Sequence, residues 1–289
     1  MTTKRLAHTG IEYARGPDGR PGYGWNFYPG CLHKQQDKCP VASCWAEGMS
    51  KRQRADFHQP HLIPELLLAP LSIKKPSIIL VNFMGDLGGD WVDPNMAVAP
   101  YYESGYLGSS LKETVFKVIR ARPEHTFLFL TKNPQAWQRW KQWPDNAWVG
   151  ATVCNQEMLI DALQSLHAMH ARHKWLSIEP LFEALNGGEC EGKRLDGLKG
   201  AGIDWIVIGG QTRPNVMPEI EWVKEIVEAA DQAGVKVWLK DNLWGMLTDN
   251  DFTPAGSKDH DLYFAEMTQL RQERPIPRLT AADVQEVKA

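Results

Sequence analysis

Two hydrophobic periods alternate along the chain from residue 76 onward. Short unbroken apolar runs recur at "PSIILVNF" (76–83), "HTFLFLT" (125–131), "AWVGATV" (147–153), "KWLSI" (174–178), "DWIVIGG" (204–210) and "VKVWLK" (235–240). Between them lie segments with apolar residues three and four apart, which predict helices. These are "SSLKETVFKVIRAR" (109–122), "NPQAWQRWKQW" (133–143), "QEMLIDALQSLHAMHAR" (156–172) and "PEIEWVKEIVEAADQAG" (218–234). Ser110 and Glu113 stand at capping-box spacing, Asn155 caps the third segment, and Gly234 stops the fourth. A further strand is predicted earlier, at "GYGWNFY" (22–28).

Continuous apolar strands, as opposed to alternating ones, are the pattern of a parallel sheet buried on both faces. Repeated strand–helix units predict an α/β fold with right-handed crossovers, either a barrel or a doubly wound sheet. Nearly every run ends in polar or glycine residues: Asn82 and Asp86, Thr131 and Lys132, Thr152 and Asn155, Glu179, Gly209 to Gln211, Lys240 and Asp241. A doubly wound sheet concentrates such residues at one switch point, whereas a barrel spreads them around one rim. The reading is therefore a parallel (β/α) barrel, complete or partial, over residues 1–245. Residues 246–289 read as a C-terminal extension without a motif. Single polar ends such as Asn133 and Asn155 are better read as helix caps or turn formers.

Composition narrows the function classes. The chain has 289 residues, 43% of them apolar, and a net charge of −3. That is enough apolar material for a full core, and too little positive charge for a generic nucleic-acid binder, though a local basic groove stays open. No apolar run reaches the length of a membrane span, and "MTTKRLAHTG" lacks the apolar core of a secretory signal. The expected setting is the cytoplasm, with no membrane partner.

In a reducing compartment, cysteines read as metal or catalytic groups and not as a disulfide framework. Three of the five fall in "NFYPGCLHKQQDKCPVASCWAEGMSKR" (26–52): Cys31, Cys39 and Cys44, followed at once by a basic helical segment. Three thiolates can hold zinc, with His33 as a fourth ligand, or an iron–sulfur cluster with one open iron. Spacing alone leaves both open, along with three unrelated cysteines.

The stretches "TGIEY", "WNFYPGC…C…CWAEGMSKR", "ILVNFMGDL", "FLFLTKNP", "WVGATVCNQ", "WLSIEPL", "GIDWIVIGGQT" and "AGVKVWLKD" run in order from about residue 10 to 245. In them the chain resembles the phage-borne three-cysteine-motif domain family, itself similar to radical S-adenosylmethionine (SAM) enzymes and distantly to spore photoproduct lyase. The resemblance implies a radical SAM-like barrel. Cys31, Cys39 and Cys44 would bind three irons of a 4Fe–4S cluster, and the open iron would take SAM. Reductive cleavage of SAM would then start hydrogen abstraction from a substrate, possibly a nucleotide or nucleic acid. Trp45 falls where the aromatic beside the adenine is found. The chain departs from the pattern in its C-x₇-C-x₄-C spacing, against the C-x₃-C-x₂-C of common radical SAM enzymes. It also has Cys154 and Gln211 where the family usually has glutamate, and "RGPDGRPGYG" (15–24) looks like an insertion.

Other residues carry two readings each. Glu179 is expected to bind SAM or substrate amines, or else to pair internally with Lys132 or Lys240. Gly209 and Gly210 let a backbone approach a ligand, or simply turn the chain. Asp86 would bind ribose hydroxyls or cap a turn. Cys154 is a candidate hydrogen donor in a radical reaction, or a core thiol. Trp137, Trp140 and Trp143 form a buried helical face or a stacking platform for single-stranded nucleic acid. The alternative from a different class is a zinc-binding, non-catalytic module that docks a partner protein or nucleic acid.

Overall fold

A computed structural model describes residues 5–16, 18–98, 109–185, 197–243 and 272–273. Cys190 and the extension from 246 onward, apart from 272–273, lie outside the described residues. The backbone divides into two units. The first takes in the described residues of Met1–Ala151 and Ala168–Lys174, the second those of Thr152–His167 and Trp175–Pro275.

The first unit contains β1 (Ala7–His8), β2 (Tyr23–Trp25), α1 (Trp45–Arg52), β3 (Ile78–Val81), α2 (Leu111–Arg120), β4 (Thr126–Thr131) and β5 (Ala147–Thr152, its last residue already in the second unit). β1 runs antiparallel to β2, and β2–β3, β3–β4 and β4–β5 are parallel pairs. Every residue of β3 and β5 is buried, as unbroken apolar runs require of strands covered on both faces. α2 buries Leu111, Val115, Phe116, Val118 and Ile119 on one side. At its start, Ser110 Oγ accepts the Glu113 N–H, while the Glu113 carboxylate takes Ser109 N–H and Oγ, so the capping box closes one residue early.

The segment predicted as a helix over 133–143 is a 3₁₀ helix, Pro134–Trp140. Its tryptophans are core, not a stacking platform: Trp137, Trp140 and Trp143 are buried and meet one another edge-on or stacked, with Phe129 beside Trp137 and Trp143. Trp137 Nε1 donates to Gly150 O of β5 at 2.9 Å. Burying aromatics of this size contributes on the order of 2–3 kcal/mol each.

The second unit contains α3 (Gln156–His167), β6 (His173–Ile178, its first two residues still in the first unit), α4 (Gly197–Ala201), β7 (Trp205–Ile208), the hairpin β8 (Gln211–Thr212) and β9 (Asn215–Val216), α5 (Ile220–Ala233) and β10 (Lys236–Leu239). β6–β7 and β7–β10 are parallel. Asn155 Oδ1 caps α3 by accepting the Met158 N–H, and α5 ends at Gly234, both as read from the sequence. The strands follow the order β1-β2-β3-β4-β5-β6-β7-β10 in a mostly parallel sheet, and β8 and β9 pair separately. The protein is thus mixed α/β. The strand at 22–28 is shorter than predicted, and β1, α4 and the β8–β9 hairpin have no counterpart among the predicted elements.

Candidate functional site

The cysteine loop leaves the C-terminal end of β2. It is tied first to the loop after β3. Asn82, in a left-handed conformation, accepts the Tyr28 N–H on Oδ1 at 2.8 Å and donates from Nδ2 to Tyr28 O at 2.6 Å. Gly30 N–H donates to Met84 O, and Gly30 bridges Gly85. Residue 30 must be glycine here: its φ is 102°, and a Cβ would lie 2.7 Å from Pro60 Cα. Cys31 follows directly, its N–H donating to Phe57 O at 3.0 Å.

Beneath this loop lies a buried polar cluster. His33, 1% exposed, donates from Nε2 to Asp86 Oδ2 at 2.7 Å. Asp86 also accepts the Lys132 N–H at 2.9 Å, the Gly88 N–H at 2.8 Å and a side-chain hydrogen bond from Thr131. One carboxylate therefore joins the cysteine loop, the loop after β3 and the end of β4. Burial pushes the Asp86 carboxyl up, but the His33 hydrogen bond and charge, with Thr131 and Lys132, outweigh it and hold it below the usual range. The other imidazole nitrogen, His33 Nδ1, is buried without a hydrogen-bond partner among the described residues.

Cys31, Cys39 and Cys44 are half-buried free thiols. Burial pushes the Cys31 thiol up to about 12. The His33 backbone N–H and Lys132 pull it down, while Asp86 and the neighbouring Cys39 raise it further. Cys31 is thus a neutral thiol near pH 7, unlike an activated nucleophile, and only a bound cation would make it a thiolate. Cys44 is the N-cap residue of α1 and makes no side-chain cap hydrogen bond. Trp45, the first residue of α1, is 52% exposed. The donor chemistry of three free thiols on one loop, with an unpartnered imidazole nitrogen, suits an iron–sulfur or zinc centre. Among the described residues no group of three His, Cys, Asp or Glu side chains is drawn together at metal-holding distance.

The remaining candidates lie in the second unit, at the C-terminal ends of β6, β7 and β10. Glu179 pairs with Lys240 Nζ, the internal partner considered from the sequence. β7 lies between their strands, so the pair crosses its end over Gly209. A Cβ on residue 209 would come 2.9 Å from Lys240 Cδ and 3.3 Å from Glu179 Cδ, which explains the glycine without a ligand. Gly210 has its carbonyl and N–H held by Asn242 at 2.8 and 3.3 Å. Cys154 is fully buried, with its Sγ 3.8 Å from Glu179 O, the position of a core thiol.

Of the two readings of Asp86, ribose hydroxyls or a turn cap, the turn cap describes Oδ1, which accepts the Gly88 N–H; the His33 and Lys132 N–H bonds to Oδ2 have no signal in the sequence. Asn133 does not cap its helix; its Nδ2 donates to Gly88 O and Asp90 Oδ1. Among the described residues no helix is long and apolar enough to cross a membrane.

The family described as "Protein of unknown function (DUF5131)" matches residues 9–274, and the chain belongs to that family. No curated protein and no solved structure matches it.

Proposed function

We propose that the protein is a radical SAM-like iron–sulfur enzyme whose cluster is held by Cys31, Cys39 and Cys44. The observation that carries the reading is the set of three free thiols on one loop at the C-terminal end of β2, the loop that also supplies His33 to the buried His33–Asp86 pair. The proposal includes kinship with the phage-borne three-cysteine-motif proteins, a sheet that forms part or all of a (β/α) barrel, and a cytoplasmic setting where thiols stay reduced. A cluster of this kind supplies one-electron reduction of SAM and hydrogen abstraction from a substrate, here a nucleotide or nucleic acid.

The chain's own groups have separate tasks in this reading. Asp86 holds His33 and, through it, the cysteine loop. Cys44 stands at the start of α1, so the third thiol is set by the helix N-terminus. Trp45, exposed beside Cys44, offers a ring to the adenine. In the second unit Glu179 is the candidate for SAM or substrate amines, Gly209 and Gly210 for close backbone approach to a ligand, and Cys154 for hydrogen donation. Glu179 would trade or share its Lys240 partner for an amino group, while the burial of Cys154 favours its core role.

The buried, unpartnered His33 Nδ1 favours a second reading: a Cys₃His zinc site in a non-catalytic module that docks a partner protein or nucleic acid. One experiment separates the two. Anaerobic reconstitution with iron and sulfide should give a brown protein absorbing broadly near ~400 nm, with iron and sulfide lost in Cys31→Ala, Cys39→Ala and Cys44→Ala and retained in Cys154→Ala. A colourless protein carrying one zinc per chain selects the second reading. A Cys39→Ala variant with full metal content removes both.

A further inference from the structure

At the N-terminal ends of β2 and β3, away from the cysteine loop that follows the C-terminal end of β2, the first unit has a pocket of about 480 Å³. Three separate segments build it. Arg5 and His8 come from the start of the chain, Arg20 and Tyr23 from the stretch 15–24 and the start of β2, and Lys74 and Lys75 from the segment before β3. No carboxylate lines it. Arg20 is neutralised by Asp18, which lies in the neighbouring pocket. Among the described residues no carboxylate pairs with Arg5, Lys74 or Lys75. In a chain of net charge −3, three cations around one pocket with no carboxylate partner among the described residues stand against the overall balance.

An aromatic pair completes the pocket. The His8 and Tyr23 rings stack at 4.4 Å with 28° between planes. His8 is fixed there, because its Nδ1–H donates to Pro21 O at 3.1 Å and Gly22 O at 3.3 Å, just before β2. These two carbonyls thus orient the ring that faces solvent above Tyr23. Cations that attract phosphate, beside a rigid aromatic step that accepts a base, are the two parts of a site for unpaired nucleotides.

We propose that this pocket binds a nucleotide unit, free or within a single strand, with its phosphates toward Arg5, Lys74 and Lys75 and its base on the His8–Tyr23 stack. The site is independent of any cluster at the cysteines.

The test uses the full-length chain, fluorescence anisotropy and two probes: a short fluorescent single strand of thymidylates and a fluorescent nucleoside triphosphate. Binding should weaken as salt rises. Lys74→Glu/Lys75→Glu, both exposed, should weaken strand binding at least about tenfold and flatten the log–log salt slope by about 1.4, the value for two lost phosphate contacts on a single strand. His8→Ala should weaken binding about tenfold and leave the slope unchanged, because stacking carries no counterion release. If the triphosphate responds to the variants like the strand, the occupant is a free nucleotide; if only the strand binds, it is a strand. The proposal is overturned if wild-type protein binds neither probe at low salt or if the variants bind like wild type. Displacement of the probe by inorganic phosphate as readily as by nucleotide also overturns it, since the base is then not recognised.

Discussion

Asp86→Asn tests whether the buried carboxylate is the clamp of the cysteine loop. In the wild type, one oxygen accepts Gly88 N–H and the other accepts His33 Nε2–H and Lys132 N–H. An amide replaces one acceptor oxygen by an NH₂ that faces donors. Turned one way, it orphans Gly88 N–H; turned the other, it orphans both His33 and Lys132. A hydrogen bond to a charged group contributes about 1.5–3 kcal/mol, and a buried donor left without an acceptor costs a similar amount. The least damaging arrangement therefore costs about 2 kcal/mol and the other about 4 kcal/mol. The assay is urea unfolding followed by the fluorescence of the 12 tryptophans, with the midpoint read at unchanged slope. Combining Asp86→Asn with His33→Gln isolates the pair, and the double variant should cost clearly less than the sum of the two singles. A loss under about 1 kcal/mol, or strict additivity of the two changes, would refute the clamp. Since the clamp sits beneath Cys31, Asp86→Asn should also lower the iron retained after reconstitution with all three thiols intact.

Three further outcomes are expected. Each of Cys31→Ala, Cys39→Ala and Cys44→Ala should remove bound metal without unfolding the chain, as thermal melting of the metal-free variants against metal-free wild type will show. Gly30→Ala should cost roughly 2–4 kcal/mol in urea unfolding, because a non-glycine residue at φ 102° is strained and its Cβ meets the backbone of Pro60; a cost below 1 kcal/mol would mean the loop relaxes freely. Burial, with Arg122 adding and Glu124 opposing, lowers His125 from 6.5 to about 4, so the unfolded chain takes up a proton first as pH falls: stability from this group is full above about pH 6.5 and is lost towards pH 4, to a total of about 3 kcal/mol, and His125→Asn should flatten that part of the stability–pH curve.

The strands that the sequence shows most clearly are those buried on both faces. The runs over 125–131 and 147–153 differ by one residue at an end from β4 and β5, because an unbroken apolar run has only one environment that suits it. Two-residue pairings leave no such trace. Ala7–His8 and the β8–β9 residues are too short to carry a period, and backbone hydrogen bonds to a neighbour define them instead. The segment at 134–140 was legible in burial and not in type. Trp137 and Trp140 stand three apart, which is the period of the 3₁₀ helix that forms, and also fits one face of the α-helix that was predicted.

The site divides in the same way. Local signals such as the Asn155 cap and the thiols of one loop can be read along the chain. The His33–Asp86 bond joins residues 53 apart and depends on β2 and β3 lying side by side, which no local pattern encodes. That pairing changes what a polar strand end means. Polar ends around a rim were read as a functional set, yet Asn82 closes on Tyr28, Asp86 on His33, Glu179 on Lys240, and Gln211 on Pro214 O. Each lies where buried backbone emerges from the sheet, and there a polar side chain satisfies donors and acceptors that the ladder leaves over. The groups left for chemistry are therefore not the carboxylates, which are spoken for, but the thiols of Cys31, Cys39 and Cys44, which form no disulfide, and His33 Nδ1, buried without a hydrogen-bond partner among the described residues.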